Sequence, residues 1–178
     1  MKNNILDEVK VAYSKGDYAR VLKLFRPLAE QGDAFAQYSL GVMYAKGEGA
    51  AQSYEEAMKW YRLAATQGNV SALSNLGAIY DEGKGAAQNY EEAMKWYRLA
   101  AVQGDVGGQY NLGLMYFAGK GVTQDFQEAM KWWRLAAAQG NVSALNNIGV
   151  MYREGQGVSQ DYKEAVKWFG LAAEQNLK

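Results

Sequence analysis

Few side chains in this 178-residue chain could do chemistry, and each kind recurs at a fixed interval. Glu91-Glu92 is a carboxylate pair of the type used in acid–base work. Gly83-Lys84-Gly85 and Gly119-Lys120-Gly121 combine glycines with a lysine, the ingredients of a phosphate-holding loop. Ser39, Asn75, Asn111 and Asn147 form a series in which three of the four members are amides, each both donor and acceptor. There is no histidine and no cysteine, which removes Ser-His-Asp catalysis, thiol nucleophiles, disulfides and structural zinc. The G-x-G segments follow helical rather than strand patterns and lack the rest of a dinucleotide fingerprint, and Glu92 sits where a helix start needs it. The 19 basic and 19 acidic residues cancel, so no long-range field draws nucleic acid or an anionic membrane. No apolar run approaches the roughly 20 residues that span a bilayer, so membrane insertion is not expected. No cofactor and no metal are expected.

The recurrence itself is the main signal. Copies of one 36-residue unit occupy 33–68, 69–104, 105–140 and 141–176 without insertion or deletion, and a fixed period in this range marks a solenoid. Residues 1–32 keep only the second half of the unit, Tyr18 to Arg26 aligning with Tyr54 to Arg62, and read as a diverged first hairpin that caps the array. Pro27, the only proline, is expected to kink it.

Each unit should hold two helices. Helix A starts after Asp33, Asn69, Asp105 or Asn141, all good N-cap residues, and ends at a G-x-G turn able to take positive φ. Helix B starts with a capping box: Ser53…Glu56, Asn89…Glu92, Asp125…Glu128 and Asp161…Glu164. In the first unit helix B is expected to bury Tyr54, Ala57, Met58, Trp60 or Tyr61, Leu63, Ala64 and Ala65. Glu55, Lys59 and Arg62 are left to water, with Glu55/Lys59 and Glu91/Lys95 as i,i+4 pairs. Trp60, Trp96, Trp132 and Trp168 recur once per unit and read as core between neighbouring hairpins. Gly41, Gly77, Gly113 and Gly149 stand in the middle of helix A, where a repeated glycine implies close helix contact.

This combination resembles the Sel1-like repeat family, a longer cousin of the tetratricopeptide repeat. The matching residues are Ala36, Leu40, Gly41, Tyr44, Gly47, Gly49, Tyr54, Ala57, Trp60, Tyr61, Ala64, Ala65 and Gly68, with their counterparts in the next three units. The leader is closer to a tetratricopeptide-type hairpin. The resemblance implies an all-α fold, an α-solenoid of helix-turn-helix repeats wound as a right-handed superhelix, whose A helices line a concave face. It implies use as a scaffold or adaptor, including in bacterial interactions with hosts, and no catalytic residues. Some bacterial relatives carry disulfides, whereas this chain has no cysteine.

Comparing the four copies separates positions that packing holds from positions it leaves free. Ala36, Leu40, Gly41 and Tyr44 hold, while Phe35/Ser71/Gly107/Ser143, Tyr38/Ser74/Tyr110/Asn146, Val42/Ala78/Leu114/Val150 and Ala45/Asp81/Phe117/Arg153 vary on one helical stripe. A varying stripe beside constant neighbours is expected to read a partner, so Tyr38, Asn75, Asp81, Tyr110, Asn111, Leu114, Phe117, Asn147 and Arg153 are the candidate binding residues. For the asparagines the alternative is fixing the stacking register; for the aromatics it is packing against the next A helix. The expected partner is a protein or peptide. The first alternative function is self-assembly through an uncapped C-terminal end near Val166, Trp168 and Phe169, giving a homo-oligomer; the second is an enzyme. The chain reads as cytoplasmic as written, and as periplasmic or secreted if a signal peptide has been removed ahead of Met1.

Overall fold

The computed structural model describes residues 2–177, with side-chain surroundings from residue 5 onward. Among these residues every regular element is a helix: α1 Lys2–Ser14, α2 Tyr18–Glu30, α3 Ala34–Lys46, α4 Tyr54–Thr66, α5 Val70–Glu82, α6 Tyr90–Ala101, α7 Val106–Ala118, α8 Phe126–Ala138, α9 Val142–Glu154 and α10 Tyr162–Asn176. They gather into two compact units, Met1–Gln88 and Asn89–Lys178. The division falls inside the second copy, so α5 belongs to the first unit and α6 to the second. Helix α2 continues through the exposed Pro27 to Glu30, losing the bond that an N–H there would make.

The A helices are bounded as their sequence dictates. Asp33, Asn69, Asp105 and Asn141 each accept the backbone N–H three residues on, and Gly47, Gly83, Gly119 and Gly155 close α3, α5, α7 and α9 with φ of 66° to 74°. The B helices differ from the capping-box expectation in one half. Ser53 accepts from the Glu56 N–H, but its own N–H already donates to the Tyr44 carbonyl at 2.9 Å, and Asp125 and Asp161 do the same toward Tyr116 and Tyr152. The glutamate carboxylates turn to lysines one turn on: Glu56 to Lys59 and Glu92 to Lys95, both at 2.5 Å, then Glu128 to Lys131 and Glu164 to Lys167. The lysine partners are thus i,i+3 glutamates rather than Glu55 and Glu91.

Packing within the first, third and fourth copies rests on the mid-helix glycines. A Cβ on Gly41 would lie 2.4 Å from the Tyr61 ring, one on Gly113 2.4 Å from Trp133, and one on Gly149 2.7 Å from Phe169. The position after the repeated tryptophan is consequently the deeper one: Tyr61, Tyr97 and Trp133 are 1–3% exposed, while Trp60, Trp96, Trp132 and Trp168 are half-buried. One residue along a helix is a rotation of about 100°, which carries the tryptophan off the facing A helix. Leu63, expected in the core, is 47% exposed, as are Leu99 and, nearly as much, Leu135 and Leu171.

Two bond sets tie successive copies. An arginine of each B helix donates to a tyrosine hydroxyl of the following A helix: Arg26 to Tyr44, Arg62 to Tyr80 at 2.6 Å, Arg98 to Tyr116 at 2.5 Å and Arg134 to Tyr152 at 2.9 Å. In alternate copies a buried glutamine adds to this. Gln37 donates to the Ala29 carbonyl and accepts from Gln67, and Gln109 donates to Ala101 and accepts from Gln139. Leu73 and Leu145 fill the same place in the other two copies, so the array repeats most fully every second unit.

Candidate partner-binding surface

In the first unit, α3 carries the variable stripe. Phe35, Tyr38 and Val42 face Val9 and Tyr13 of α1 across a largely apolar groove of about 480 Å³, with Lys10 and Glu48 at its rim. Phe35 is 59% exposed and meets the buried Phe25 edge-on at 5.8 Å; the half-buried Tyr38 ring lies 5.9 Å from that of Tyr61. The Ser39 hydroxyl donates within its own helix to the Phe35 carbonyl. Asn75 occupies a smaller cleft with Tyr54, Tyr61, Glu82 and Lys84 and hydrogen-bonds the Tyr61 phenol. Burial, then the nearby Tyr38, pushes that phenol above its ordinary value, and the Asn75 bond works in the opposite direction. Asn75 thereby connects α5 to α4, a contact of the register-holding kind. Asp81 is half-buried further along α5.

In the second unit Tyr110, Asn111, Leu114 and Phe117 lie on α7 and Asn147 and Arg153 on α9. All but Arg153 are half-buried. The Tyr110 carbonyl accepts the Trp133 indole N–H at 3.1 Å, and the Phe117 ring stands 5.2 Å from Phe126 and 5.3 Å from Trp133. Arg153 is exposed and pairs with Glu154 at 2.7 Å. The nine candidate residues therefore form two sets, Tyr38, Asn75 and Asp81 in one unit and the other six in its companion.

Sequence reading missed a staple that explains how the stripe varies. Gln52, Gln88, Gln124 and Gln160 donate to the main-chain carbonyls of Ala45, Asp81, Phe117 and Arg153 at 2.7–2.8 Å. The backbone beneath each variable residue is thus held by a constant one, and its side chain is free to differ. The signal was a glutamine kept in all four copies seven residues after a variable position.

The lysines considered for phosphate are engaged with rings. Lys84 lies 5.7 Å over Tyr54, with Glu82 beside it raising its ammonium above the ordinary value, and Lys120 lies 5.0 Å over Tyr90. Among the described residues no three acidic, histidine or cysteine side chains are grouped to hold a metal ion, and no helix is long and apolar enough to cross a membrane.

Paired helices repeating in register define a helical-repeat protein of the α-solenoid class. The Sel1 repeat pattern matches residues 34–69, 70–105, 106–141 and 142–177, and the chain belongs to the Sel1 repeat family. A solved protective antigen of uropathogenic Escherichia coli with the same repeat fold is 41% identical at a TM-score of 0.88, over 92% of this chain and 36% of its own. A Sel1 repeat protein from Oxalobacter formigenes is 34% identical at a TM-score of 0.85, over 94% of this chain and 69% of its own. This chain thus spans little more than a third of the first relative's length. No curated protein matches the sequence. Sel1 repeat proteins are generally scaffolds for protein–protein interaction and generally non-catalytic.

Proposed function

We propose that this protein is a non-catalytic scaffold or adaptor that binds a protein or peptide along the variable face of its A helices. The observation that carries the reading is the apolar groove of the first unit, where Phe35, Tyr38 and Val42 of the varying stripe line the same space. Aromatic side chains at the edge of such a groove bind strongly because they lose little conformational freedom when covered. The second unit has a stretch of variable residues of its own, with Tyr110, Leu114 and Phe117 on α7, and Asn111 and Asn147 offer amides to a peptide backbone. Asn75 is a weaker contributor, since its side chain already bonds Tyr61.

Capture from the source cell's lysate tests the reading, with wild type compared against Phe35→Glu/Val42→Glu and against Leu114→Glu/Asn147→Ala. Circular dichroism checks that each is folded. The expected result is one specific protein retained by the wild type and lost from at least one folded variant. Identical capture by all three would move the binding surface to the B-helix side and overturn the proposal.

A further inference from the structure

The joints that lead from one hairpin to the next, α2 to α3, α4 to α5, α6 to α7 and α8 to α9, are not built alike. Two of them hold a buried amide. Gln37 of α3 donates to the Ala29 carbonyl at 3.0 Å and accepts from Gln67 at 2.7 Å, and Gln109 of α7 does the same with Ala101 at 3.3 Å and Gln139 at 2.9 Å. Gln139 also reaches the Gly104 carbonyl at 3.0 Å. At α4/α5 and α8/α9 the same place is taken by the buried Leu73 and Leu145.

Other features follow the same alternation. All four joints carry an arginine–tyrosine bond, but Tyr44 and Tyr116 are buried where Tyr80 and Tyr152 are half-buried. Ala65, at α4/α5, is half-buried where its counterparts Ala29 and Ala101 are covered. At α6/α7 the two helices approach so closely that a Cβ on Gly108 would lie 2.7 Å from the Ala100 Cβ and 3.0 Å from the Ala101 nitrogen.

The two kinds of joint respond differently to a small displacement. Apolar contact has no preferred direction, so Leu73 keeps most of its burial when α5 shifts against α4. Gln37 and Gln109 have no such freedom. Moving their helices breaks two hydrogen bonds and leaves an amide buried without water, at the full cost of its desolvation. The side-chain bonds that do cross α4/α5 are within reach of solvent: Arg62 to Tyr80 is exposed, and Asn75, bonded to Tyr61, lines an open cleft. Water can take the place of either partner. We propose that α4/α5, which lies inside the chain between two amide-held joints, is an adjustable joint at which the helices shift and reopen in the folded protein. Such a shift changes the spacing between Asn75 and Asp81 on α5 and Phe35, Tyr38 and Val42 on α3. It occurs whether or not that face holds a partner, so the loss of lysate capture leaves it untouched.

The chain has no cysteine, so one engineered thiol reports alone. Ala36 and Ala72 stand one residue before Gln37 and Leu73, and both are 0% exposed. Ala36→Cys and Ala72→Cys, checked for folding by circular dichroism, are reacted with an aromatic disulfide reagent in buffer and in urea below the unfolding transition. The thiol at 72 should react at least about tenfold faster, at a rate that hardly rises with urea, because local opening exposes little surface. Adding Leu73→Gln to Ala72→Cys should slow it about tenfold, and adding Gln37→Leu to Ala36→Cys should speed that thiol by about as much. Hydrogen exchange on the unmutated chain reads the same difference without a substitution. The Asn69 N–H, bonded to the Ala64 carbonyl, should be protected about tenfold less than the Asp33 N–H, bonded to that of Leu28. Equal protection of the two amides, equal rates for the two thiols, a rate at 72 that climbs with urea as global unfolding does, or glutamine–leucine exchanges that leave the rates unchanged would each overturn the proposal.

Discussion

Gly113 shows at the scale of one residue why a position unfavourable to helix can be kept. Its missing Cβ leaves room for the Trp133 ring, which is 1% exposed and has nowhere to retreat. Gly113→Ala should therefore destabilise the fold by about 1–3 kcal/mol despite alanine's better helix propensity, and an unchanged urea midpoint would refute the packing argument. Tyr61 supplies a second test. Its phenol is raised above 10.0 chiefly by burial, so the folded state holds its proton longer than the unfolded chain does. Its contribution to stability is complete below the unfolded value and is lost as pH rises from there through the folded one. Between about pH 9 and pH 11 the wild type should lose more stability than Tyr61→Phe, and equal losses would show the phenol to be freely hydrated.

At the scale of the element, α4, α8 and α10 begin with half a capping box because the other half is already taken. Asp125 accepts from the N–H groups of Gln127 and Glu128, at 2.9 and 3.0 Å, while its own N–H serves the Tyr116 carbonyl. Asp125→Ala should lower stability by about 1 kcal/mol, whereas Glu128→Gln should leave the unfolding midpoint within error. A large loss from Glu128→Gln would mean that its carboxylate caps after all. The same rivalry for backbone groups explains the glutamine staples. Gln88 and Gln124 hold carbonyls near the ends of α5 and α7, where no helical partner remains for them. Such bonds were hard to read from sequence, because a glutamine in a loop looks like any solvated residue until its partner seven positions away is in place.

At the scale of the molecule, a repeat array distributes its stability among neighbours rather than through one core. Gly113→Leu should strip hydrogen-exchange protection from α7 and α8, leaving that of α2 and α3 close to wild type. Uniform loss across the chain would mean global cooperativity instead. The period, the helix pair of each copy, the N-caps of those helices and the glycine stops of the A helices were legible in the sequence, because each depends on residues close along the chain that recur four times. The division of core between Trp132 and Trp133 was not, since both are apolar and only the facing glycine decides which ring goes in. Exposure of Leu63 was equally hidden, for a leucine at helical spacing carries no mark of whether a neighbour covers it. The variable stripe was visible from comparing copies, but the tertiary structure showed that Asn75 is bonded to Tyr61 and that Phe35, Tyr38 and Val42 share one groove. Local propensity acts on neighbours in sequence; burial is set by whatever the fold brings alongside.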